Sequence, residues 1–336
     1  MSRVVKTTCI AAAAVILLLI FWYAVDVLLL VFAGVLVGVF LHGLSHPLSQ
    51  YTGLRQGSSL LIVLFALGGL IGLVSWLLAG RVVTQANQLV DQLPIAFAAV
   101  TSRLEAYDWG NRVLAEIPTT WELFRGHGTV LGRITGIFSG ALGALLNFAI
   151  VIVLGCYIAA EPRLYSNGIQ RLIPLNHRDR AREVLNELSM TLGRWLVGRL
   201  ILMVVNGALT AIGLWFLGMP LALTLGLLAG VLNFIPNLGP LIAAVPAVLI
   251  ALTISPQTAL YVGLLYIAVQ SIDGYVLTPF VNRRSVELPP VLTIFAQVLL
   301  GVLVGSLGVV LAGPLTAMLV VVVRRLYVED TLGDRS

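Results

Sequence analysis

Two stretches of the C-terminal third, residues 220–246 and 289–314, share one arrangement of helix-breaking residues. The first reads PLALTLGLLAGVLNFIPNLGPLIAAVP and the second reads PPVLTIFAQVLLGVLVGSLGVVLAGP. Nineteen residues separate Pro220 from the glycine at Gly239, and the corresponding separation that begins at Pro289 is also nineteen. Pro246 lies seven residues after Gly239 in the first stretch, and Pro314 lies six residues after Gly308 in the second. The matched spacing indicates a repeated structural unit.

Each stretch is too long for one membrane span and too short for two, because a spanning helix needs about 20 apolar residues. In the first stretch, the break 236–240 separates the apolar segments 221–235 and 241–254. In the second, the break 305–308 separates the apolar segments 290–304 and 309–323. We therefore expect two helical hairpins, 221–254 and 290–323, with tips inside the membrane. Broken backbone is tolerated at that depth only within protein or beside water. The alternative is that glycine and proline merely kink packed helices.

Apolar runs at 200–217 and 258–277 precede the two hairpins and are long enough to cross the bilayer. Each pair of span and hairpin then has the opposite orientation to the other. Inverted repeats with interrupted helices at matching positions are typical of secondary transporters. The sequence therefore predicts a transport core over 200–323, with the solute site between the hairpin tips.

The composition of the 336-residue chain excludes an ordinary soluble domain. Hydrophobic residues make up 59% and charged residues 10%, and the mean hydropathy is +1.01, whereas soluble domains carry about 25% charged residues. The apolar runs are continuous rather than alternating, which favours helices over a β-barrel. We expect an all-α polytopic membrane protein with lipid as its surroundings. The net charge of +5 then reflects basic cytoplasmic loops, not nucleic-acid binding.

Composition also divides the rest of the chain. A single helix over 9–41 would be about 50 Å long, so two short helices turning near Asp26 and a loop at 42–57 are expected. The predicted parts are N-terminal membrane helices 1–80, an extramembrane helical subdomain 81–133, a span 134–160, a basic cytoplasmic helical segment 161–199, the core, and a cytoplasmic tail 324–336.

Orientation follows from basic residues and helix count. Arg3 and Lys6 place the N-terminus in the cytoplasm, and paired helices return the chain to Arg55 on the same side. Segment 81–133 is then outside, and 161–199, with seven arginines against four acids, is inside. We expect a multi-pass inner-membrane protein with both termini cytoplasmic.

Polar side chains within the core are the candidates for binding a solute or an ion. Asp273 is the one acid inside a predicted span of the C-terminal third, and a carboxylate there is costly enough to suggest a function. Amides such as those of Asn233 and Asn237 offer both donors and acceptors; helix packing is the alternative role. The candidate residues are Asn233, Pro236, Asn237, Gly239, Pro240, Asp273, Gln297, Ser306 and Gly308.

Signals of catalysis are missing from the sequence. No phosphate-binding loop is present, and Lys6 is the sole lysine. His42 and His46 lie four residues apart, but no acid or cysteine near them completes a metal site. We expect neither an enzyme nor a cofactor or bound metal.

The same motifs resemble those of the AI-2E family of membrane permeases. The resemblance is carried by the segments 217–220, 230–240, 277–279 and 301–314. It implies a cofactor-free solute transporter that assembles as a homo-oligomeric ring, such as a pentamer. Members are associated with autoinducer-2 export or with sodium/proton antiport.

The resulting hypothesis is a secondary transporter that exports or exchanges an autoinducer-2-like signal or another small polar metabolite. A sodium/proton-type antiporter or a passive channel of the same fold is the first alternative. A non-transporting membrane scaffold is the second.

Overall fold

The chain folds into long α-helices joined by short connections in a computed structural model that describes residues 3–105, 130–282 and 289–333. The helices are α1 (Arg3–Thr52), α2 (Gln56–Leu104), α3 (Val130–Ala160), α4 (Pro162–Arg171), α5 (Arg178–Phe216), α6 (Ala222–Leu232), α7 (Leu238–Ile254), α8 (Pro256–Ile272), α9 (Thr278–Asn282), α10 (Pro290–Val304) and α11 (Ser306–Val322). Wider π-helical turns follow α8 at Asp273–Leu277 and α11 at Val323–Glu329. No strand occurs in these ranges, so the all-α prediction is confirmed.

Several of the described helices are long and apolar enough to cross a membrane. Five qualify singly: Ala24–Thr52, Gln56–Leu78, Leu175–Phe216, Pro256–Val281 and Ser306–Glu329. A sixth candidate is the pair Leu145–Ala160 and Pro162–Arg171, which is bent by 85°. The predicted multi-pass membrane protein is therefore confirmed. Residues 106–129 of the predicted extramembrane subdomain, and residues 283–288, lie outside the described residues.

The N-terminal part differs from the prediction of two short helices. Residues 3–52 form the single helix α1, and the chain leaves helical geometry only at Gly53, whose φ is +70°. No glycine or proline interrupts residues 3–33, and a lone Asp26 is compatible with a helix. The loop predicted at 42–57 is likewise wrong, because α1 continues to Thr52 and α2 starts at Gln56. The helix count behind the predicted cytoplasmic N-terminus therefore changes.

The fold contains two compact units. The first comprises Met1–Leu60, Ala144–Gly193 and Val291–Ser336. The second comprises Leu61–Gly143 and Arg194–Pro290. The predicted hairpin 221–254 belongs to the second unit, and most of the hairpin 290–323 belongs to the first.

In the second unit, α6 and α7 form the first hairpin and pack along each other, with α8 against α7. The break lies at 233–237 rather than at the predicted 236–240. Gly239 and Pro240 instead stand in the first turn of α7. Proline is tolerated there because the first amide groups of a helix have no partner within the helix.

The second unit also has a core that includes the start of the predicted extramembrane subdomain. Leu89 of α2 packs with buried residues of α5 to α8 such as Leu214, Leu225 and Ile250. The side-chain Oε1 of Gln85 accepts hydrogen bonds from Thr224 N and Oγ1 of α6, each 3.1 Å long. It thereby satisfies an amide in the first turn of α6, which has no side-chain cap of its own.

In the first unit, α10 and α11 form the second hairpin, and Gly305 is its one non-helical residue. Gly305 has a φ of +73°, a conformation that glycine adopts without steric cost. The predicted break at 305–308 thus shrinks to a single residue, and Ser306 starts α11. Since Ser306–Glu329 is long enough to span a membrane, the re-entrant geometry of this hairpin remains a prediction.

Candidate functional site

The first hairpin tip is a tight and strained turn. Asn233 ends α6, and Phe234 and Ile235 continue with short-range bonds to carbonyls of that helix. Leu238 N then donates to Pro236 O over 2.7 Å, around Asn237 with φ +64° and ψ −51°. This is a γ-turn of the positive-φ kind, which is rare and strained. Strain of this type costs about 1–3 kcal/mol and concentrates at functional sites.

Asp273 lies at the start of the π-helical turn that follows α8, and only 4% of its surface is exposed. The side chains of Asn206, Asn233 and Thr278 lie beside its carboxylate. Such π-turns often mark functional sites. The structure therefore brings together two of the predicted residues, Asn233 and Asp273, from the hairpin tip and the following helix.

Arg199 of α5 supplies a positive charge to this group. It is 9% exposed, and its charge interacts with that of Asp273. The Arg199 Nε donates a hydrogen bond of 3.2 Å to Phe234 O at the hairpin tip. One helical turn earlier, Trp195 meets the Phe234 ring edge to face, with the centroids 5.8 Å apart. Helix α5 thus contacts the tip through two side chains.

We call Arg199, Asn206, Asn233, Asp273 and Thr278 the tip site. Several of its polar atoms make no hydrogen bond of good geometry to the described residues: Asp273 Oδ1, Asn206 Nδ2, and both Oδ1 and Nδ2 of Asn233. A buried polar group without a partner costs about 1–3 kcal/mol. The site therefore offers both donors and acceptors to a small polar molecule.

Gly239 and Gly308 are both buried, and each lies where the two arms of its hairpin approach closely. Neither has a positive φ. A Cβ at Gly239 would collide with the carbonyl oxygen of Leu232, and one at Gly308 with the carbonyl oxygen of Leu300. In each hairpin the glycine lets the second arm approach the backbone of the first. The residues with positive φ at the two tips are instead Asn237 and Gly305.

The other predicted residues are distributed unevenly. Pro236, Asn237 and Pro240 are half-buried at the first tip. In the first unit, Gln297 of α10 is fully buried, whereas Ser306 is exposed. Ser306 is therefore not part of a buried polar group.

Sequence reasoning missed Arg199, Asn206 and Thr278. Arg199 was assigned to the end of a basic cytoplasmic segment because six other arginines precede it between 161 and 194. One signal was available, since the twelve residues after Arg194 contain no charge except Arg199 itself. An arginine isolated in an apolar run needs a buried partner.

An apolar cavity of about 300 Å³ lies elsewhere in the second unit. It is lined by residues of α2, α5 and α6, including Leu78, Met203 and Leu227. No polar side chain lines it, so it cannot orient a polar solute as the tip site can. Among the described residues there is no cluster of histidine, cysteine or acidic side chains able to hold a metal ion.

Comparisons with known proteins agree with the membrane fold. The chain is 31% identical over 312 residues to "Putative transport protein YrrI" of Bacillus subtilis (strain 168), a match that covers 89% of this chain and 86% of the relative. It is 28% identical over 147 residues to "AI-2 transport protein TqsA" of Escherichia coli (strain K12), covering 44% and 41% of the two chains. The model of the AI-2E family transporter matches residues 11–327. With a match over nearly its whole length, the chain belongs to the AI-2E transporter family.

Proposed function

We propose that this protein is a secondary transporter of a small polar solute in the inner membrane, and that the tip site binds the solute. The candidate solutes are autoinducer-2, which appears in the name of one relative, and other small polar metabolites. The observation that carries the proposal is the tip site itself. It gathers buried polar side chains at a broken helix, and several of their atoms make no hydrogen bond of good geometry to the described residues.

A purely structural role explains this arrangement poorly. Polar groups that only tie membrane helices together satisfy one another, whereas Asn233 is 1% exposed and, although it lies beside the Asp273 carboxylate, neither atom of its amide makes a hydrogen bond of good geometry. The strained γ-turn at Asn237 adds a further cost. A solute that accepts and donates hydrogen bonds would recover part of both costs when it binds. Interrupted helices supply such sites in other secondary transporters.

A cation antiporter is the second candidate function, because Asp273 is a buried carboxylate with an open Oδ1. Carboxylates inside membrane helices commonly relay protons or bind cations. A passive channel of the same fold is separated from both carriers by counterflow, since only a carrier exchanges labelled for unlabelled solute. The expected homo-oligomeric ring belongs to this proposal and is tested by native mass spectrometry.

Proteoliposome uptake of autoinducer-2 and of a panel of small polar metabolites tests the proposal. Asn233→Ala removes two hydrogen-bonding atoms from the tip site, and Asn87→Ala is the matched control on the exposed face of α2. Each lost hydrogen bond is worth about 1 kcal/mol, so we expect Asn233→Ala to weaken apparent affinity about fivefold or more. The control should transport as the unmodified protein does. Equal uptake by both variants would remove the tip site from transport, and no flux of any solute would favour a scaffold.

A further inference from the structure

Arg199 is an unusual residue at its position. It lies on α5 among apolar neighbours and is 9% exposed. A buried arginine in a membrane helix is costly and marks a function by default. One of its nitrogens is used by the bond from Nε to Phe234 O, but a hydrogen bond to a carbonyl does not neutralise the charge. The neutralising charge has to come from an acid.

Asp273 is that acid. It interacts with Arg199 through charge, but no ion pair with an N–O distance within 4 Å joins the two among the described contacts. The two opposite charges thus balance each other without forming a direct ion pair. The atoms of Asn206, Asn233 and Asp273 that make no hydrogen bond of good geometry lie beside one another in the same group. Charge balance and unfilled hydrogen-bonding capacity therefore occur together.

The other described side chains of the second unit leave this balance intact. Tyr266 of α8 is buried and carries no charge at neutral pH. The charged residues Arg81, Asp91, Glu105 and Arg194 are exposed. Residues 283–288 lie outside the described ranges. The experiments use the whole chain, so any contribution of these residues is included in the measured response. Within the described part, Arg199 and Asp273 make a buried site with zero net charge.

We propose that Arg199 is the residue that sets the charge selectivity of the tip site, so that the site takes solutes without net charge and excludes bare cations. This rests on the proposed transport function. A bare cation that entered the balanced site would leave one positive charge uncompensated in a low-dielectric interior. A neutral or zwitterionic solute leaves the balance unchanged and can still bond to the open amide and carboxylate atoms. Arg199 thus permanently supplies the positive charge that a bound coupling cation would otherwise supply to Asp273.

The variant Arg199→Gln tests this inference because it leaves Asp273 alone in the site. An isolated buried carboxylate is stable only when protonated or paired with a cation. The unfolding temperature of Arg199→Gln in nanodiscs should therefore rise as the pH is lowered from about 8 to about 5, by about 3 °C or more beyond the change in the unmodified protein. The double variant Arg199→Gln/Asp273→Asn should lose this extra pH response. Arg182→Gln, at an exposed position of α5, should behave as the unmodified protein.

The unmodified protein supplies an arm that needs no variant to fold. Its proteoliposomes should show no saturable uptake of radioactive sodium and no current during solute uptake. Saturable sodium uptake, a solute-coupled current, or equal pH responses of Arg199→Gln and the unmodified protein would overturn the inference. If the single variant fails to fold, recovery of folding in the double variant supports the charge balance, and no recovery contradicts it. Absence of solute flux alongside the expected pH response would instead overturn the proposed function, and with it the selectivity, while the charge balance between Arg199 and Asp273 would stand.

Discussion

At the first hairpin tip, the tight turn of the chain is centred on a single residue, Asn237. Its φ of +64° and ψ of −51° are those of the strained γ-turn, which L-residues rarely adopt. The bond from Leu238 N to Pro236 O closes the turn around it. Asn237 therefore has two possible roles, one in the backbone of the turn and one as a side-chain ligand. The two roles predict different responses to substitution.

Replacing Asn237 by glycine separates these roles. Glycine adopts positive φ without cost, so Asn237→Gly should fold as the unmodified protein does. Under the proposed function it should still lose apparent affinity for the solute by about fivefold, the equivalent of one hydrogen bond of about 1 kcal/mol. Asn237→Ala should lose affinity and also stability, because alanine is strained at this φ. Concentration-dependent uptake and thermal unfolding measure the two effects. Unchanged affinity in Asn237→Gly would restrict Asn237 to a backbone role.

Gly239 allows a second residue-scale prediction, on stability. A Cβ at this position meets the Leu232 carbonyl oxygen, and backbone cannot move aside as a flexible side chain can. Gly239→Ala should therefore destabilise the protein by about 1–3 kcal/mol. The control is Gly263→Ala in α8, where no atom lies within 4 Å of the added Cβ and alanine should be neutral or stabilising by about 0.5–1 kcal/mol. Thermal unfolding of both variants measures the difference, and equal stabilities would disprove close packing at the tip.

The two hairpins share one construction. Each second arm has 17 residues, Leu238–Ile254 in α7 and Ser306–Val322 in α11. Each is preceded by a residue of positive φ and has a buried glycine in its first turn, and Pro246 and Pro314 each stand ninth in their arm. The regular spacing in the sequence thus corresponds to equivalent local structures. The tips differ in one respect, because asparagine makes the first turn and glycine the second.

The C-terminal end of α11 is held in the first unit by a group of ion pairs. In the π-helical turn, Arg325 pairs with Glu329 at 2.7 Å and with Glu187 of α5. Arg180 of α5 pairs with Glu329 at 3.0 Å and with Asp330 at 2.9 Å. A shared network of this kind is stronger than isolated surface pairs, although salt still screens it. It fixes the end of the second hairpin arm against the start of α5.

Arg180→Gln should loosen this connection. The variant leaves Glu329 and Asp330 with fewer partners, so its unfolding temperature should fall below that of the unmodified protein in low salt. The deficit should shrink at about 1 M salt, where the Debye length is about 3 Å. Arg182→Gln, an exposed neighbour on α5, is the control and should show no such salt-dependent loss. A deficit that persists unchanged at high salt would assign the effect to packing rather than to charge.

For the whole molecule, the arrangement across the membrane follows from α1. If this helix crosses once, its two ends lie on opposite faces of the bilayer, whereas two short helices would return the chain to the same face. The arginine-rich segment 161–199 is predicted to be cytoplasmic and 81–133 external. The continuous helix α1 and the distribution of basic residues thus make independent predictions about the topology.

Single cysteines in a background lacking Cys9 and Cys156 test both statements. Cysteines at Ser2 and Thr52 should label from opposite faces, because α1 is one helix. A cysteine at Asn176, which is exposed, should label only from the cytoplasm, and one at Ser102 from outside. Impermeant thiol reagents on intact cells and on inverted vesicles read out each position. Labelling of Ser2 and Thr52 from the same face would restore the paired N-terminal helices.

The sequence by itself determined the helical membrane class and the positions of both helix breaks to within three residues, and it named Asn233 and Asp273 as candidates, which the structure brings together. These properties follow from local composition, since apolar runs and helix-breaking residues act on their own neighbours. Only the tertiary structure decided that Arg199 and Asp273 belong to the same site, and that Gly239 and Gly308 are needed for close approach of backbones. It also decided that α1 is continuous. Such features depend on which distant segments meet, and the energies of burial and charge pairing arise only when they do.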